Sequence, residues 1–317
     1  MNLLVTGAMG HVGYEIARQA AARGIRVVAT HAGTFRAADA EALGPGVTWV
    51  AGDLSDPAAV EAIAARHAID ACIHAAAVSN EAYAKPEPLK AIAANVGGTA
   101  NMLDAARRHG WRRFVLVSTG SVFQRDVDPV RPILEDHPPS PINIYGTTKR
   151  AAEMLTTMYR ATFGLSAATV RISWVFGPPL ITDSPTRGPI PSFLGRALRG
   201  EAIREGGADF AASFTYVADV AEGLIEAARA PALNHDIYHL GSGVNFTAGE
   251  VAAAVRKSVP GAVIELGPGT LPWTTYTSPR GPLAGERFKQ DTGYTVRHSL
   301  DAAVAAYAAW MRSAPRG

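Results

Sequence analysis

The chain has 317 residues, 48% of them hydrophobic and 18% charged, with 30 basic against 28 acidic side chains. That composition is too apolar for a disordered chain, and a net charge of +2 is too small for a general polyanion binder. The single cysteine, Cys72, excludes an internal disulfide and fits a reducing, cytoplasmic setting.

A strand-like run begins at once, at 2–6, leaving no room for a signal peptide. Further strands are expected at 26–30, 48–51, 71–75, 113–118 and 166–171. Helical periodicity fills the windows between them, most clearly at 12–23, 96–109 and 145–163. Parallel strands need right-handed helical crossovers, so this order implies an α/β fold with a doubly wound, Rossmann-like parallel sheet. Cys72, in the apolar run 69–78, reads as a buried, inert thiol. Arg107, Arg108, Arg112 and Arg113 read as a solvated helix end leading into a strand rather than as a phosphate patch.

Beyond about residue 172 the punctuation changes. Gly177-Pro178-Pro179, Pro185, Pro189 and Pro191 mark a long irregular connection, and 261–285 is a second, holding Trp273 and Tyr276. Stretches 214–224 and 236–243 look regular again. The expected division is therefore a cofactor domain at 1–172, with 213–243 returning to it, and a smaller substrate lobe from 173–212 and 244–317. The tract 302–311 is far shorter than the roughly 20 residues of a membrane-spanning helix. It reads as an amphipathic helix with Tyr307 and Trp310 on its buried side.

Thr6-Gly7-Ala8-Met9-Gly10-His11-Val12-Gly13 follows the first strand and opens the first helix. Glycines there let the backbone turn tightly and approach a pyrophosphate, to which the helix N-terminus offers free N–H groups and a positive dipole end. Strand, glycine loop and helix together point to a dinucleotide site.

With its Thr-Gly-x-x-Gly-x-x-Gly spacing, this loop resembles that of the extended short-chain dehydrogenase/reductase superfamily, in its epimerase/dehydratase-like branch. The likeness continues through Gly52-Asp53-Leu54, His74-Ala75-Ala76, Asn95-Val96-Gly97-Gly98-Thr99, Ser118-Thr119, Tyr145-Gly146-Thr147-Thr148-Lys149, Arg171-Ile172-Ser173, Val175-Phe176-Gly177-Pro178, Phe214-Thr215-Tyr216-Val217-Ala218-Asp219 and Leu240-Gly241-Ser242-Gly243. The resemblance implies Gly7, Gly10 and Gly13 at the pyrophosphate, with Met9, His11 and Val12 in the same loop. It puts Asp53 and Leu54 at the adenine and Ala75, Ala76 and Ala77 near the ribose, with Asn95 in support. Ser118, Ile172 and Val175 are expected to border the cofactor too. Family members usually end the second strand on an acidic residue that binds the adenosine ribose. Here Thr30 and His31 stand there, followed by Thr34 and Arg36, none of which repels a 2′-phosphate. NADP is therefore expected in preference to NAD.

Tyr145 and Lys149 lie four apart at a helix start and share a face. A phenol titrates near 10, and a neighbouring ammonium is expected to lower that value toward a useful base. The resemblance gives Lys149 a second task, holding the nicotinamide ribose. Thr119 is the expected third member, donating to the substrate oxygen, with Ser118 and Ser121 as alternates. Dehydratases of the branch resemble Thr-Asp-Glu at this point, whereas Gly120 and Ser121 cannot titrate, so dehydration is disfavoured.

Nucleotide-sugar members resemble Arg-Asp-Phe where this chain has Ala212-Ser213-Phe214, which removes a guanidinium facing a diphosphate. Arg187, Arg196 or Arg280 are candidates to replace it. Ser121, Trp174, Trp273 and Tyr276 are candidate pocket residues. No metal site is expected, since His235 and His239 stand on a strand-like run. The favoured reading is an NAD(P)-dependent oxidoreductase acting on a hydroxyl or keto carbon of a small, sugar-derived substrate. A nucleotide-sugar epimerase with retained cofactor is the alternative, and a non-catalytic cofactor-binding regulator the third. Resemblance also implies a homodimer through the 96–109 and 145–163 helices, and no nucleic acid or membrane partner is expected.

Overall fold

The computed structural model describes residues 1–33 and 35–314. Its centre is a seven-stranded, wholly parallel sheet. The strands are β1 (Asn2–Thr6), β2 (Arg26–His31), β3 (Val47–Ala51), β4 (Ala71–His74), β5 (Arg113–Thr119), β6 (Ala167–Ile172) and the edge strand Ile237–Leu240. From edge to edge they run Ile237–Leu240, β6, β5, β4, β1, β2, β3. Strand order reverses between β1 and β4, and ligands of such sheets bind outside the carboxyl ends at that point. Apolar runs make these strands because both faces are covered: every residue of β4 and β5 is buried.

Helix α1 (His11–Ala22) carries the chain from β1 to β2, and the helix Val217–Arg229 packs beside it on the same face. The helices Gly98–Arg108 and Ile144–Phe163 cover the other face. Strand edges agree with the sequence reading to within a residue. The expected helix at 96–109 differs: a π-turn, Ala93–Gly97, precedes the α-helix Gly98–Arg108. The π-turn runs on into the α-helix without a break, so a sequence pattern reads the two as one helix.

The second apolar cluster joins the helices Pro189–Leu198, Ala248–Ser258 and Leu300–Ser313, with Phe193, Phe210, Trp273 and Tyr307 inside it. Tyr307 is fully buried and stacks on the half-buried Trp310. Within the segment 244–317 expected in the lobe, the helix Glu286–Thr292 sides with the sheet instead. Phe288 and Tyr294 join the sheet's cluster, and the Tyr294 hydroxyl donates to the Asp219 carbonyl at 2.9 Å.

Arg107 and Arg108 pair with Asp104, and Arg108 also with Glu61. Arg113 is buried, donating to the Ser166 hydroxyl and the Ala230 carbonyl. No helix among the described residues is long and apolar enough to cross a membrane. Between the carboxyl ends of the strands and the second cluster lies a cavity of about 1030 Å³.

Candidate active site

The glycine loop closes against its neighbours at backbone contact. Gly7 sits at φ +65°, and a Cβ there would stand 2.7 Å from the Ala76 Cα, while a Cβ on Gly13 would stand 2.3 Å from the Gly7 oxygen. Both positions therefore exclude side chains. α1 starts from Gly10 with no side-chain cap, and Gly10, His11, Val12 and Gly13 border the cavity, so the positive helix end opens into it.

A buried relay fixes the loops on either side. The Ala76 N–H donates to the Thr6 hydroxyl at 3.1 Å, and that hydroxyl donates to His74 Nδ1 at 2.8 Å. His74 Nε2–H then donates to the Thr99 hydroxyl at 3.1 Å, which donates to the Asn95 carbonyl at 2.8 Å. This directionality requires a neutral imidazole. Burial, with the charge of Lys149, pushes the His74 pKa down to about 3. Asn95 does not border the cavity. Its amide holds both backbone groups of Val78 and donates to the Thr148 hydroxyl, so it supports the walls rather than touching a ligand.

Thr30, His31, Arg36, Asp53 and Leu54, the residues expected at the adenosine, also line the cavity. Asp53 accepts the Ser55 N–H and hydroxyl, which hold its carboxyl below the usual range. Arg36 pairs with Asp39 and donates to the Met9 carbonyl at 2.9 Å, while His31 packs against Phe35 with its ring tilted. Thr34 lies outside the described residues. Ala75, Ala76, Ala77, Ile172 and Val175 border the middle of the cavity. His11 does too, its Nε2–H donating to the Gly177 carbonyl at 2.9 Å. Burial and the charge of Arg187 lower its pKa to about 3.

Strand β5 delivers Thr119 at its carboxyl end. The Thr119 oxygen accepts the Ser121 N–H at 3.1 Å, which leaves its proton free to donate. Ser118 turns the other way: its hydroxyl donates to Glu153 at 2.7 Å, inside a buried network with Arg171. That commitment removes Ser118 as the hydroxyl alternate. The helix Ile144–Phe163 is capped by Asn143, whose side chain accepts the Gly146 N–H at 2.8 Å. A Cβ on Gly146 would stand 2.5 Å from the Ser121 oxygen, so this helix end and the turn after β5 are pressed together.

Tyr145 is thereby brought to the same cavity wall as Thr119. Burial raises the phenol's pKa, and the nearby Thr119 hydroxyl, with the charges of Arg187 and Arg280, opposes the rise. Arg187 and Arg280 are cations acting on the phenol that the sequence reading did not foresee. Lys149 itself is buried at the cavity wall, and burial lowers its pKa to about 8 against the pull of Glu153. Sequence reasoning missed Glu81, a buried carboxylate that accepts the Tyr145 N–H at 2.9 Å and borders the cavity. It stands 64 residues upstream on a four-residue helix and carries no local signal.

Ser121, Trp174, Arg187, Trp273, Tyr276 and Arg280 all border the far end. Trp174 holds a left-handed φ of +41°, and its ring covers Gly188. Trp273 is buried, its ring meeting that of Phe193 in a T-shaped contact. Arg196 is not available there, because Glu205 holds it at 2.5 Å. Ser213 is buried and shares a hydrogen bond with Ser242. His239 lies in the Arg171 network, and no group of three metal-ligating side chains occurs among the described residues.

The sequence matches the NAD dependent epimerase/dehydratase family across residues 3–241. It is 33% identical over 268 residues to a UDP-glucose 4-epimerase of Streptomyces lividans, covering 80% of each chain. To a dTDP-glucose 4,6-dehydratase of Streptomyces antibioticus it is 30% identical over 256 residues, covering 78% of this chain and 74% of that one. The structure of a Thermus thermophilus UDP-glucose 4-epimerase in complex with NAD superposes with a TM-score of 0.85 at 25% identity, covering 99% of this chain and 100% of that one. With the glycine loop, the strand-end threonine and the Tyr–Lys helix meeting in one cavity, the chain belongs to the NAD dependent epimerase/dehydratase family, within the extended short-chain dehydrogenase/reductases.

Proposed function

We propose that this protein is an NAD(P)-dependent oxidoreductase that moves a hydride between nicotinamide and a hydroxyl or keto carbon of a small, sugar-derived substrate. The observation that carries this reading is the meeting of Thr119, Tyr145 and Lys149 on the wall of one cavity at the carboxyl end of β5. The backbone contacts at Gly7 and Gly13 and the uncapped start of α1 fit a dinucleotide pyrophosphate. When bound, the nicotinamide supplies the hydride acceptor or donor. Tyr145 takes the proton of the substrate hydroxyl, or returns it to the oxygen of a ketone. Thr119 donates a hydrogen bond to that oxygen, and Lys149 would hold the ribose hydroxyls of the cofactor. Neither Gly120 nor Ser121 titrates, and Glu81 is bound to the Tyr145 amide, so elimination of water lacks its second acid and base.

At the adenosine end, Thr30, His31 and Arg36 favour NADP over NAD, because no carboxylate of β2 faces the ribose. Exposed Met154, Met158 and Phe163 along the helix Ile144–Phe163, with Ile92 nearby in sequence to the π-turn, favour a homodimer. The single buried thiol fits a cytoplasmic enzyme. The test is nicotinamide absorbance with a panel of sugar alcohols, ketoses and sugar acids. A substrate-dependent change that disappears in Tyr145→Phe is expected; equal turnover by that variant would sink the reading.

A second reading, an epimerase that oxidises and re-reduces one substrate on a retained cofactor, draws support from the Streptomyces lividans relative. Mass spectrometry of small molecules released by denaturing the purified protein separates the two. Stoichiometric cofactor favours the epimerase, and an empty site favours the dissociable oxidoreductase.

A further inference from the structure

One stretch of chain runs from the glycine loop to Tyr145. Every residue of 75–81 borders the cavity. At its start the Ala76 backbone lies against Gly7, and its N–H donates to the Thr6 hydroxyl at 3.1 Å. At its end Glu81 Oε2 accepts the Tyr145 N–H at 2.9 Å. Between these points Asn95, on the π-turn, accepts the Val78 N–H at 2.7 Å and donates to the Val78 carbonyl at 3.2 Å. Asn95 also donates to the Thr148 hydroxyl at 2.9 Å, and Thr148 donates in turn to the Tyr145 carbonyl at 2.9 Å. Both main-chain groups of Tyr145 are therefore fastened to the segment that leads from the glycine loop.

The fastening at the N–H is unusual for a helix start. Asn143 caps the Gly146 N–H from within the same turn, the ordinary local device. The Tyr145 N–H is another donor of that turn without a helical partner, and a carboxylate 64 residues upstream meets it. Glu81 is 8% exposed, and among the described residues this amide is the only partner of its side chain. A buried carboxylate without a cation is costly. The positive end of a 20-residue helix and a charge-assisted bond to its amide offset that cost at this one place. The charge thus keeps Glu81, and the end of the segment with it, seated on Tyr145.

Proton transfer tolerates little misplacement, since about 1 Å costs on the order of 100-fold in rate. We propose that Glu81 is a positioning residue: through the main chain of Tyr145 it holds the phenol in register with a cofactor bound against residues 75–81. This rests on the oxidoreductase reading and gives Glu81 no contact with substrate. Its mechanical corollary is that a dinucleotide locking the segment also locks the Tyr145 amide.

The experiment reads amide exchange residue by residue across 143–150, by mass spectrometry with and without saturating NADP or NAD, beside the absorbance assay on the sugar panel. Three variants separate reach from charge. Glu81→Gln keeps the accepting oxygen without the charge, Glu81→Asp keeps the charge one methylene short, and Glu81→Ala removes both. Cofactor is expected to slow exchange at Tyr145 about tenfold or more in the wild type. Glu81→Ala and Glu81→Asp are expected to lose that protection and to lower kcat about 10- to 100-fold, with KM and cofactor affinity within about threefold of the wild type. Glu81→Gln is expected to restore both. A merely structural cap behaves differently, and Thr247→Ala supplies the control. It removes the hydroxyl that accepts the Glu250 N–H at 3.1 Å on a helix outside the cavity. That variant is expected to lower the melting temperature while leaving Tyr145 exchange and turnover unchanged. If Glu81→Ala does not fold, the Gln and Asp pair decides. Equal Tyr145 exchange in the loaded and empty wild type, an Asp variant that behaves as the wild type, or a Gln variant that restores nothing each overturns the proposal. So does a rise in KM alone, which assigns Glu81 to substrate binding. A wild type that binds cofactor but turns over nothing on the panel fails the oxidoreductase reading, and the exchange arm then decides this inference by itself.

Discussion

The relay behind the glycine loop and the far end of the cavity treat polar groups in opposite ways. At the cofactor end, Thr6, His74, Thr99 and Asn95 form a chain in which every donor finds a protein acceptor. At the substrate end, Arg280 keeps an unpartnered Nε, Arg187 holds a single hydroxyl, and Trp174 sits in a left-handed conformation. A satisfied network is rigid before any ligand arrives, while orphaned donors and local strain are made good only in the complex. The first end is built to be the same for every turnover, and the second to be completed by what it binds.

The most severe break in this arrangement is Tyr145→Phe, which leaves both ends folded and removes only the proton. Turnover is expected to fall by about two to four orders of magnitude with cofactor affinity unchanged, as a titration alongside steady-state kinetics would show. Gly13→Ala attacks the rigid end. Its Cβ would stand 2.3 Å from the Gly7 oxygen, which no side-chain motion relieves. A loss of about 1–3 kcal/mol in chemical denaturation is expected, with weakened dinucleotide binding. A variant as stable and as well loaded as the wild type contradicts the close-packed loop.

Acid distinguishes the ends more gently. His11, His74 and His239 are each held neutral by burial, with pKa values near about 3 against 6.5 when exposed. Between those values the unfolded chain binds more protons than the folded one, so stability rises with pH across the window. It is complete above about 6.5 and is lost progressively below, at up to about 1.4 kcal/mol per pH unit for each imidazole. Melting curves from neutral pH to about 5 check this, and a flat profile refutes the neutral relay. The smallest effect belongs to Arg36→Ala. With Asp39 already beside the guanidinium, its removal is expected to cost NADP only about 0.3–1 kcal/mol relative to NAD, seen as a severalfold shift in the ratio of dissociation constants.

Strands and glycine loop were legible because parallel strands covered on both faces read as unbroken apolar runs, and because loop function depends on local spacing. Tyr145 and Lys149 were legible for the same reason, four residues apart on one helix. What stayed hidden depends on contacts distant in sequence. The pairing of Gly120 with Arg280, the grip of Glu81 on the Tyr145 amide and the source of the charge acting on the phenol each join segments far apart. Arg196 failed as a phosphate candidate for a kindred reason: its neutralising partner, Glu205, lies on a strand no local pattern pairs with it. The helix Glu286–Thr292 went to the sheet because Phe288 and Tyr294 find their partners there.

The lone thiol has a practical consequence. Cys72 lies in β4, two residues before His74, fully enclosed between β1 and β5 and with its pKa raised by burial. A thiol-reactive dye therefore reaches it only when the central strands part, so its labelling rate is a clock for opening of the sheet. Slowed by added dinucleotide at constant pH, that one reaction would register cofactor capture without any substrate in hand.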